Sequence, residues 1–356
     1  MIKYFYFFLL FSLLSCKEQN QNKDRVDDLK NICKYSQWLK IEEGEKGVLI
    51  EITSPIDKEK SYTIGINSQF ETDIAIDAGE PLGVFSTTHI GMLAELNALG
   101  FIKATTSQKL ISSEYVNNRI KSGQIKSFSE NSNPDMESLV RSGIKLLIHS
   151  AFNGDYPIKN KLKKFKIETI PNFDWMESHP LGKAEWILLF GYLTGKQERA
   201  KERFKYIESE YLKLVKDSIQ NSPIIMMGGI MGDYWISPAS NSFSAKFIKD
   251  AGGNYIYSNE QGQGSLKLSL EKVIYDSRLA DLWINPGFDK KSEILRSNPK
   301  LEHLSTLNNG RVFDYSHNAN KYWEYGAIHP HLILADLIRI IRGEELELLH
   351  FYKEVL

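Results

Sequence analysis

The spacing of hydrophobic positions changes within residues 47–100, and each pattern predicts a different element. Residues 47–66, GVLIEITSPIDKEKSYTIGI, alternate apolar and polar positions around a Pro/Asp/Lys turn, which is typical of two antiparallel strands. Residues 81–100, PLGVFSTTHIGMLAELNALG, begin as a short strand and continue with apolar residues at helical spacing from Ile90. The hydroxyl residues that start at Ser86 are good helix caps, so this segment predicts a β-α unit.

Further β-α units are predicted along the chain, because short apolar runs recur between helical patterns. The predicted strands are KLLIHS (145–150), IETIPN (167–172), PIIMMGG (223–229), DLWINPG (281–287) and RVFDYS (311–316). Alternation of strands and helices is typical of mostly parallel sheets that are covered by helices. The sequence therefore predicts an α/β fold.

One helical stretch, KQERAKERFKYIESEYLKLVKDSIQ, is longer than the others and lies between two groups of β-α units. Its apolar positions, from Ala200 to Val215, recur at helical spacing. About 25 residues at 1.5 Å each would make a rod of roughly 37 Å. We therefore predict two Rossmann-like lobes with mostly parallel sheets joined by one long α-helix. A single large doubly wound sheet is the alternative.

The length of the chain, 356 residues, exceeds the size at which one hydrophobic core keeps growing, and this also favours two lobes. The predicted segments are an N-terminal lobe over 46–194, the linking helix over 195–221, a C-terminal lobe over 222–345 and a C-terminal tail over 346–356.

The first residues have the pattern of a signal peptide, with Lys3 before an apolar run that ends at Leu14. The run is too short for a membrane-spanning helix, which needs ~20 apolar residues. The sequence LLSC, which ends at Cys16, resembles the lipobox of bacterial lipoproteins, in which the cysteine is acylated. We expect residues 1–15 to be a lipoprotein signal peptide, and residues 16–45 to be the lipidated Cys16 and its tether. A chance cysteine in an ordinary secretory leader is the alternative.

The composition indicates the class of protein and argues against one kind of function. Hydrophobic residues make up 42% of the chain and aromatic residues 12%, as in a well-packed globular protein. The 44 Lys and Arg residues nearly balance the 45 Asp and Glu residues, which argues against nucleic-acid binding as the main task. If Cys16 carries lipid, Cys33 is the remaining thiol, so the fold is expected to contain no internal disulfide.

Two segments at matching places in the predicted lobes each place a glutamate in the first turn of a short helix. They are DMESLVRSGIKLLIHS (135–150), with Glu137, and SLEKVIYDSRLADLWINPG (269–287), with Glu271. In both, a capping residue precedes the helix and a buried strand follows it. A first-turn glutamate also complements the helix dipole, a common stabilising role worth ~0.3–1 kcal/mol.

Together the leader, the two β-α lobes, the long helix and the paired glutamates resemble the helix-linked (class III) substrate-binding lipoproteins of ABC importers, most closely the branch found in Bacteroidetes. The resemblance covers residues 45–345. Its local matches, in family order, are FSTTHIGMLAELNALG, HPLGKAEWILLFGYLTGK, GDYWISPASNSFSAKFIKDAGGNYI, DLWINPG and YWEYGAIHPHLILADLI.

The resemblance implies a receptor that captures an iron-siderophore complex, haem or cobalamin between its lobes and delivers it to an inner-membrane permease. It implies no catalysis, no cofactor and a monomer held on the periplasmic face of the envelope by its lipid. It also implies that Glu137 and Glu271 dock onto the two permease subunits. The chain departs from the family's usual Pro-Asp before the strand of the first lobe, where it has Ile144 and Lys145.

Ligands of open α/β sheets bind beyond the carboxyl ends of the strands, so residues that follow predicted strands are candidates for ligand contact. Aromatic side chains there suit a large, partly apolar chelate. The predicted ligand-binding residues are His89, Tyr115, Trp175, Tyr234, Trp235, Tyr322 and Trp323; His149, Phe173 and Tyr325 are further candidates for the cleft. For each of them, packing in the core is the alternative, and Trp186 is expected in the core.

Two other functions are weaker alternatives. His89 and His149, with Glu177, His179 or His317, would bind a bare ion such as zinc if they faced one cleft, but their spacing is not that of a metal site. The glycines of MMGGIMGDYW lack the Lys-Ser/Thr pair of a phosphate-binding loop. A hydrolase is the remote alternative, since the chain has no Gly-x-Ser-x-Gly nucleophile motif.

Overall fold

The computed structural model describes residues 29–128, 135–215, 222–262 and 264–356. The predicted signal peptide and the predicted lipidation site, Cys16, lie outside the described residues. Among the helices of the described ranges, none has both the length and the apolar character needed to cross a membrane.

The described chain begins with a five-stranded sheet in which neighbouring strands follow one another in sequence. Its strands are β1 (Lys30–Asn31), β2 (Leu39–Gly44), β3 (Gly47–Thr53), β4 (Ser61–Ile66) and β5 (Ile74–Ile76). The pairs from β1 to β4 are antiparallel, and β5 runs parallel to β4. The antiparallel pair predicted over residues 47–66 is confirmed. Isoleucines at alternate positions form its buried face, for example Ile50, Ile52 and Ile64.

The segment predicted as a tether, 16–45, is ordered structure from β1 onward. Between β1 and β2 the chain is held by two buried carboxylates of the N-terminal lobe. Glu185 accepts the backbone N–H of Lys34 and of Tyr35, both at 2.8 Å, and Glu177 accepts that of Gln37 at 2.9 Å. Any tether therefore ends before residue 30, because the chain beyond it is fixed by long-range hydrogen bonds.

The N-terminal lobe is a parallel sheet with helices packed around it. Its elements are β6 (Leu82–Phe85), α1 (Thr87–Glu95), β7 (Ile102–Thr105), α2 (Glu114–Lys121), β8 (Lys126–Ser127), α3 (Met136–Arg141), β9 (Leu146–Ser150), α4 (Lys159–Lys164), β10 (Glu168–Asn172), α5 (Pro180–Glu185) and α6 (Ile187–Leu193). The strand order is β10-β9-β6-β7-β8, and every neighbouring pair is parallel.

The helix predicted to link the lobes is α7 (Gln197–Leu214), with 18 residues. At 1.5 Å per residue it is ~27 Å long, shorter than the predicted rod. It buries Ala200, Phe204, Ile207 and Tyr211, which lie at the predicted helical spacing. Residues 216–221, the end of the predicted helix, lie outside the described residues.

The C-terminal lobe contains a second mostly parallel sheet and a small antiparallel one. Its elements are β11 (Ile224–Met227), β12 (Gly229–Met231), β13 (Tyr234–Pro238), α8 (Phe243–Asp250), β14 (Asn254–Tyr255), β15 (Ser265–Ser269), α9 (Leu270–Asp276), β16 (Leu282–Ile284), α10 (Lys291–Ser297), α11 (Ser305–Asn309), β17 (Arg311–Asp314), α12 (Ala319–Tyr325), α13 (Pro330–Arg342) and β18 (Lys353–Glu354).

The main sheet of this lobe has the order β14-β11-β16-β17-β18, parallel except for the last pair. The α/β fold with two lobes of mostly parallel sheet is confirmed. The antiparallel sheet β12-β13-β15 was not predicted.

The last residues, predicted as a tail, form part of this lobe. Strand β18 pairs with β17, and Phe351 and Tyr352 are buried. The fully buried carboxylate of Asp336 accepts the backbone N–H of His350 at 2.9 Å and that of Phe351 at 2.8 Å. The oxygens of a buried carboxylate need hydrogen-bond donors, and the backbone N–H groups of His350 and Phe351 supply them. These hydrogen bonds therefore fix the last residues to the lobe.

The two lobes are joined not only by α7 but also by α12, which docks on the N-terminal lobe. A Cβ atom added at Gly91 of α1 would lie 1.8 Å from the carbonyl oxygen of Glu324, so glycine permits this close crossing. The carboxylate of Glu324 accepts the backbone N–H of Ser112 at 2.7 Å. A further contact joins Glu95 of α1 to His329 ahead of α13, at 3.4 Å.

Candidate functional site

A cleft of about 570 Å³ lies between the two lobes. Residues at or just beyond the carboxyl ends of β11, β16 and β17 form its C-terminal side: Met227, Asn285 and Tyr315. The turn that follows β10 in the N-terminal lobe contributes Trp175 from the other side. This is the place where open α/β sheets bind ligands, and the volume is within the range of small-molecule sites.

Three aromatic rings of the C-terminal lobe form one wall of the cleft. The rings of Tyr315 and Tyr322 are stacked, with centroids 3.7 Å apart and planes 3° from parallel. Trp323 stands edge-on to both, at 5.7 Å from Tyr315 and 5.3 Å from Tyr322. Burial raises the pKa of Tyr322 to about 12, so its phenol is neutral. Trp323, which is 43% exposed, presents the accessible part of this wall.

Trp175 is held on the opposite side by a buried polar anchor. It lies in the short turn Asp174–Met176, whose first residue is fixed by an ion pair between Asp174 and Lys183 at 3.0 Å. Its ring packs against Phe152, with centroids 5.0 Å apart. The indole N–H of Trp175 has no hydrogen-bond partner among the described residues.

Three of the predicted ligand-binding residues line the cleft together: Trp175, Tyr322 and Trp323. The rule that ligands bind beyond strand ends had predicted these residues as candidates for ligand contact. The prediction omitted Tyr315, which lay near the end of the predicted strand RVFDYS; the observed strand β17 ends at Asp314, so Tyr315 directly follows it. Phe243, the other omitted aromatic residue, starts α8 and lies in the cleft wall, but no strand-end signal identifies it.

Three candidates lie in the core rather than in the cleft. Trp235 is fully buried, with its ring 5.3 Å from that of Trp283 and its N–H directed to the carbonyl oxygen of Met227. Phe173 is also fully buried. His89 on α1 is 0% exposed, packs on Phe190 at 5.2 Å, and has no hydrogen-bond partner among the described residues for either ring nitrogen. For these residues, core packing replaces the predicted ligand contact.

Four more candidates lie away from the cleft lining. Tyr115 is exposed on α2, where its hydroxyl accepts a hydrogen bond from Arg119 at 2.7 Å. Tyr234 is exposed at the start of β13, with the ammonium of Lys267 3.6 Å from its ring centroid. Tyr325 stacks on His329 at 3.7 Å. The fourth, His149, is buried with its ring 5.0 Å from that of Tyr156.

The bare-ion alternative has no support in the described residues, where no group of three or more His, Cys, Asp or Glu side chains is placed to hold a metal ion. The carboxylate of Glu177 holds the N-terminal segment instead. His179 caps α5, since its Nδ1 accepts the backbone N–H of Leu181 at 3.0 Å.

Glu137 and Glu271 lie where the sequence placed them, exposed in the first turns of α3 and α9. Asp135 caps α3 and Ser269 caps α9 through their side chains. Each helix leads into a parallel strand, α3 into β9 and α9 into β16, and therefore runs back antiparallel to it. We therefore expect the first turns of both helices to lie towards the carboxyl ends of the strands, the side that also carries the cleft.

A two-lobed α/β molecule with a ligand-sized cleft between its lobes has the architecture of a solute-binding protein. The sequence matches the family model described as periplasmic binding protein over residues 84–319. The chain belongs to this family.

Solved structures agree on the fold. A periplasmic binding protein from Veillonella parvula superposes with a TM-score of 0.62 at 14% identity, covering 83% of this chain and 99% of that one. The periplasmic haem-binding protein of Vibrio cholerae gives 0.56 at 14%, covering 74% and 98%. The Fe³⁺-hydroxamate transport protein of Saccharomonospora viridis gives 0.56 at 12%, covering 80% and 96%.

A curated relative is an uncharacterized lipoprotein of Methanocaldococcus jannaschii, 26% identical over 272 residues, or 73% of this chain. The match spans 64% of that relative's length.

Proposed function

We propose that this protein is the substrate-binding lipoprotein of an ABC importer, which captures a metal complex between its lobes and delivers it to a membrane permease. The cargo is an iron chelate, haem or a corrinoid. The protein is attached through Cys16 to the periplasmic face of the cell envelope and acts as a monomer, without catalysis of its own.

The observation that carries the proposal is the aromatic cleft between the lobes. Trp175 from one lobe and Trp323 from the other line a space of about 570 Å³, so a ligand there touches both lobes at once. Large rings contribute much apolar contact area at little conformational cost, which suits a bulky chelate. The haem and Fe³⁺-hydroxamate proteins among the solved structures share this fold and make such cargo a reasonable expectation.

The membrane attachment has independent support. The leader and LLSC have the pattern of a lipoprotein signal, and a relative is described as a lipoprotein. Two or more acyl chains hold a protein stably on a membrane, since each buried CH₂ contributes ~0.8 kcal/mol.

A ligand panel tests the function directly. The full-length protein in detergent is melted with ferric siderophores, haem, cobalamin or Zn²⁺. A ligand that binds only the folded state at 100 times its Kd adds ~2.7 kcal/mol to the free energy of unfolding, and so raises the melting temperature. We expect at least one metal complex to do this, and Zn²⁺ to have no effect.

Two matched variants connect that binding to the cleft. Trp323→Ala removes an aromatic residue from the cleft, whereas Tyr234→Ala removes a similarly exposed one outside it, at 45% exposure. We expect the first variant to lose most of the thermal shift and the second to retain it. A shift that depends on Tyr234 but not on Trp323, or no shift with any metal complex, would refute the proposal.

A further inference from the structure

Nearly all of the described side chains that line the cleft are uncharged. Among the described residues that line it there is no lysine and no arginine. Those that contribute apolar surface, besides the aromatic rings, include Met176, Met227, Ile236 and Pro238. The polar ones are mostly serines such as Ser237, Ser242 and Ser265.

Glu177 is the charged residue among the described lining, and its carboxylate is already used. Trp186 donates its indole N–H to one oxygen at 2.9 Å, and the backbone N–H of Gln37 reaches the other at 2.9 Å. The hydroxyl of Ser36 donates to the first oxygen as well. With 1% of the residue exposed, this carboxylate serves the fold and is not available to bind a ligand.

A second carboxyl group lies directly behind the aromatic wall. Asp314, next to the cleft residue Tyr315, is 1% exposed, and the backbone N–H of Gly287 donates to it at 2.7 Å. Burial raises the pKa of both Asp314 and Glu177. Neither group attracts an anion in either protonation state. The ammonium of Lys183, which lies 5.2 Å from the ring centroid of the cleft residue Phe243, is paired with Asp174 at 3.0 Å.

We infer that the cleft selects a metal chelate of zero net charge with an apolar surface, and discriminates against chelates that carry several negative charges. This inference rests on the proposed function. A ligand anion must give up its hydration on entering the cleft, and the loss is repaid only if cationic groups or enough hydrogen-bond donors replace the water. The described lining supplies aromatic and aliphatic surface, and its polar side chains are mostly serines; the indole N–H of Trp175, which has no partner among the described residues, is buried and does not open onto the cleft.

Two ferric siderophores of opposite electrostatic character test the inference. In ferrichrome, three hydroxamates balance the charge of Fe³⁺, and the complex is neutral. Ferric enterobactin, with three catecholates, carries three net negative charges. Each is titrated into the full-length protein in detergent, and quenching of the tryptophan fluorescence, to which Trp175 and Trp323 of the cleft contribute, gives its Kd. We expect ferrichrome to bind at least about 100-fold more tightly, a difference of ~2.7 kcal/mol.

A charge-gain variant makes the test specific to the cleft. Ser265 is an exposed residue of the cleft lining, whereas Ser258 is exposed outside it on the same lobe. Ser265→Arg is expected to tighten ferric enterobactin binding by about tenfold or more with little change for ferrichrome, because it adds the missing cation. Ser258→Arg adds the same charge elsewhere and should leave both Kd values unchanged.

The outcomes separate the two proposals. Tight binding of ferric enterobactin by the unmodified protein, equal to or tighter than that of ferrichrome, overturns the inference while the receptor function stands. An equal effect of Ser258→Arg and Ser265→Arg also overturns it, since the discrimination would then come from overall charge. If neither siderophore, nor haem, nor cobalamin binds, the proposed function fails and the inference with it.

Discussion

At the scale of single residues, His89 illustrates what a sequence pattern does not reveal. It follows a predicted strand closely, as a ligand-binding residue would, yet its ring is buried on α1 against Phe190. Burial lowers its pKa from 6.5 to about 4, so the imidazole stays neutral in the folded protein. Periodicity predicted the helix correctly, but which face of the helix meets another layer depends on packing between distant segments.

The neutral His89 should make the fold sensitive to acid. Below pH 6.5 the unfolded chain binds a proton that the folded protein does not bind until about pH 4, so the free energy of unfolding falls over this interval. His89→Leu removes this loss. Its free energy of unfolding relative to the unmodified protein should increase by ~1.4 kcal/mol between pH 8 and pH 5.5.

Denaturant melts at the two pH values measure this difference, and the comparison cancels any change in packing that does not depend on pH. Buried carboxyl groups with raised pKa, such as Glu185 and Glu324, act in the opposite direction, so the pH profile of the unmodified protein alone does not isolate the histidine. His303→Leu, at an exposed position, is the control. An identical pH response of His89→Leu and the unmodified protein would contradict the assignment.

At the scale of elements, the β-α units could be predicted, but the docking of residues 34–37 and of the last residues could not. Short apolar runs in the sequence predict strands such as β9, β16 and β17. The segment Lys34–Gln37 and the last residues carry no such signal, since single buried carboxylates, Glu185 and Asp336, hold them from far along the chain. Pairings of this kind depend on the assembled fold, and no local pattern specifies them.

Helix α12 carries two of the three rings of the aromatic wall, and its position depends on one glycine. In Gly91→Ala the new Cβ would meet the Glu324 carbonyl at 1.8 Å, so α12 must move away from α1. Overpacking of this kind costs ~1–3 kcal/mol of stability. Because Tyr322 and Trp323 lie on α12, we expect ligand affinity to fall together with stability, as measured by chemical denaturation and by fluorescence titration.

Gly191→Ala separates the two effects. A Cβ there would lie 2.4 Å from the Cβ of Ala200, a contact between α6 and α7 that does not involve α12. This variant should also lose stability, but it should bind ligand with the same Kd. Equal affinity losses in both variants would mean that general destabilisation, and not the position of α12, controls the cleft.

At the scale of the whole molecule, we expect the cleft and the two exposed glutamates to share one side. Strands of both sheets have their carboxyl ends towards the cleft, and the order of the elements predicts the first turns of α3 and α9, with Glu137 and Glu271, on that same side, one on each lobe. The contacts of α12 with the N-terminal lobe add to the connection through α7 and restrict the relative position of the lobes. We propose that two acidic residues held in this way set one orientation towards a membrane partner.

We therefore expect Glu137→Ala combined with Glu271→Ala to abolish uptake of the cargo while its Kd for the isolated protein stays unchanged. Charged residues at the rim of an interface steer and orient association. Without both glutamates, the receptor would have no preferred orientation towards the permease. Cells that depend on the imported complex measure uptake, and fluorescence titration measures Kd. Glu198 in the first turn of α7 and Glu302 in the short 3₁₀ helix Pro299–His303 are also exposed first-turn glutamates, so Glu198→Ala with Glu302→Ala removes two such charges elsewhere. If both double variants lower uptake equally, the glutamates act only on their helices, and the docking surface must be sought on another face.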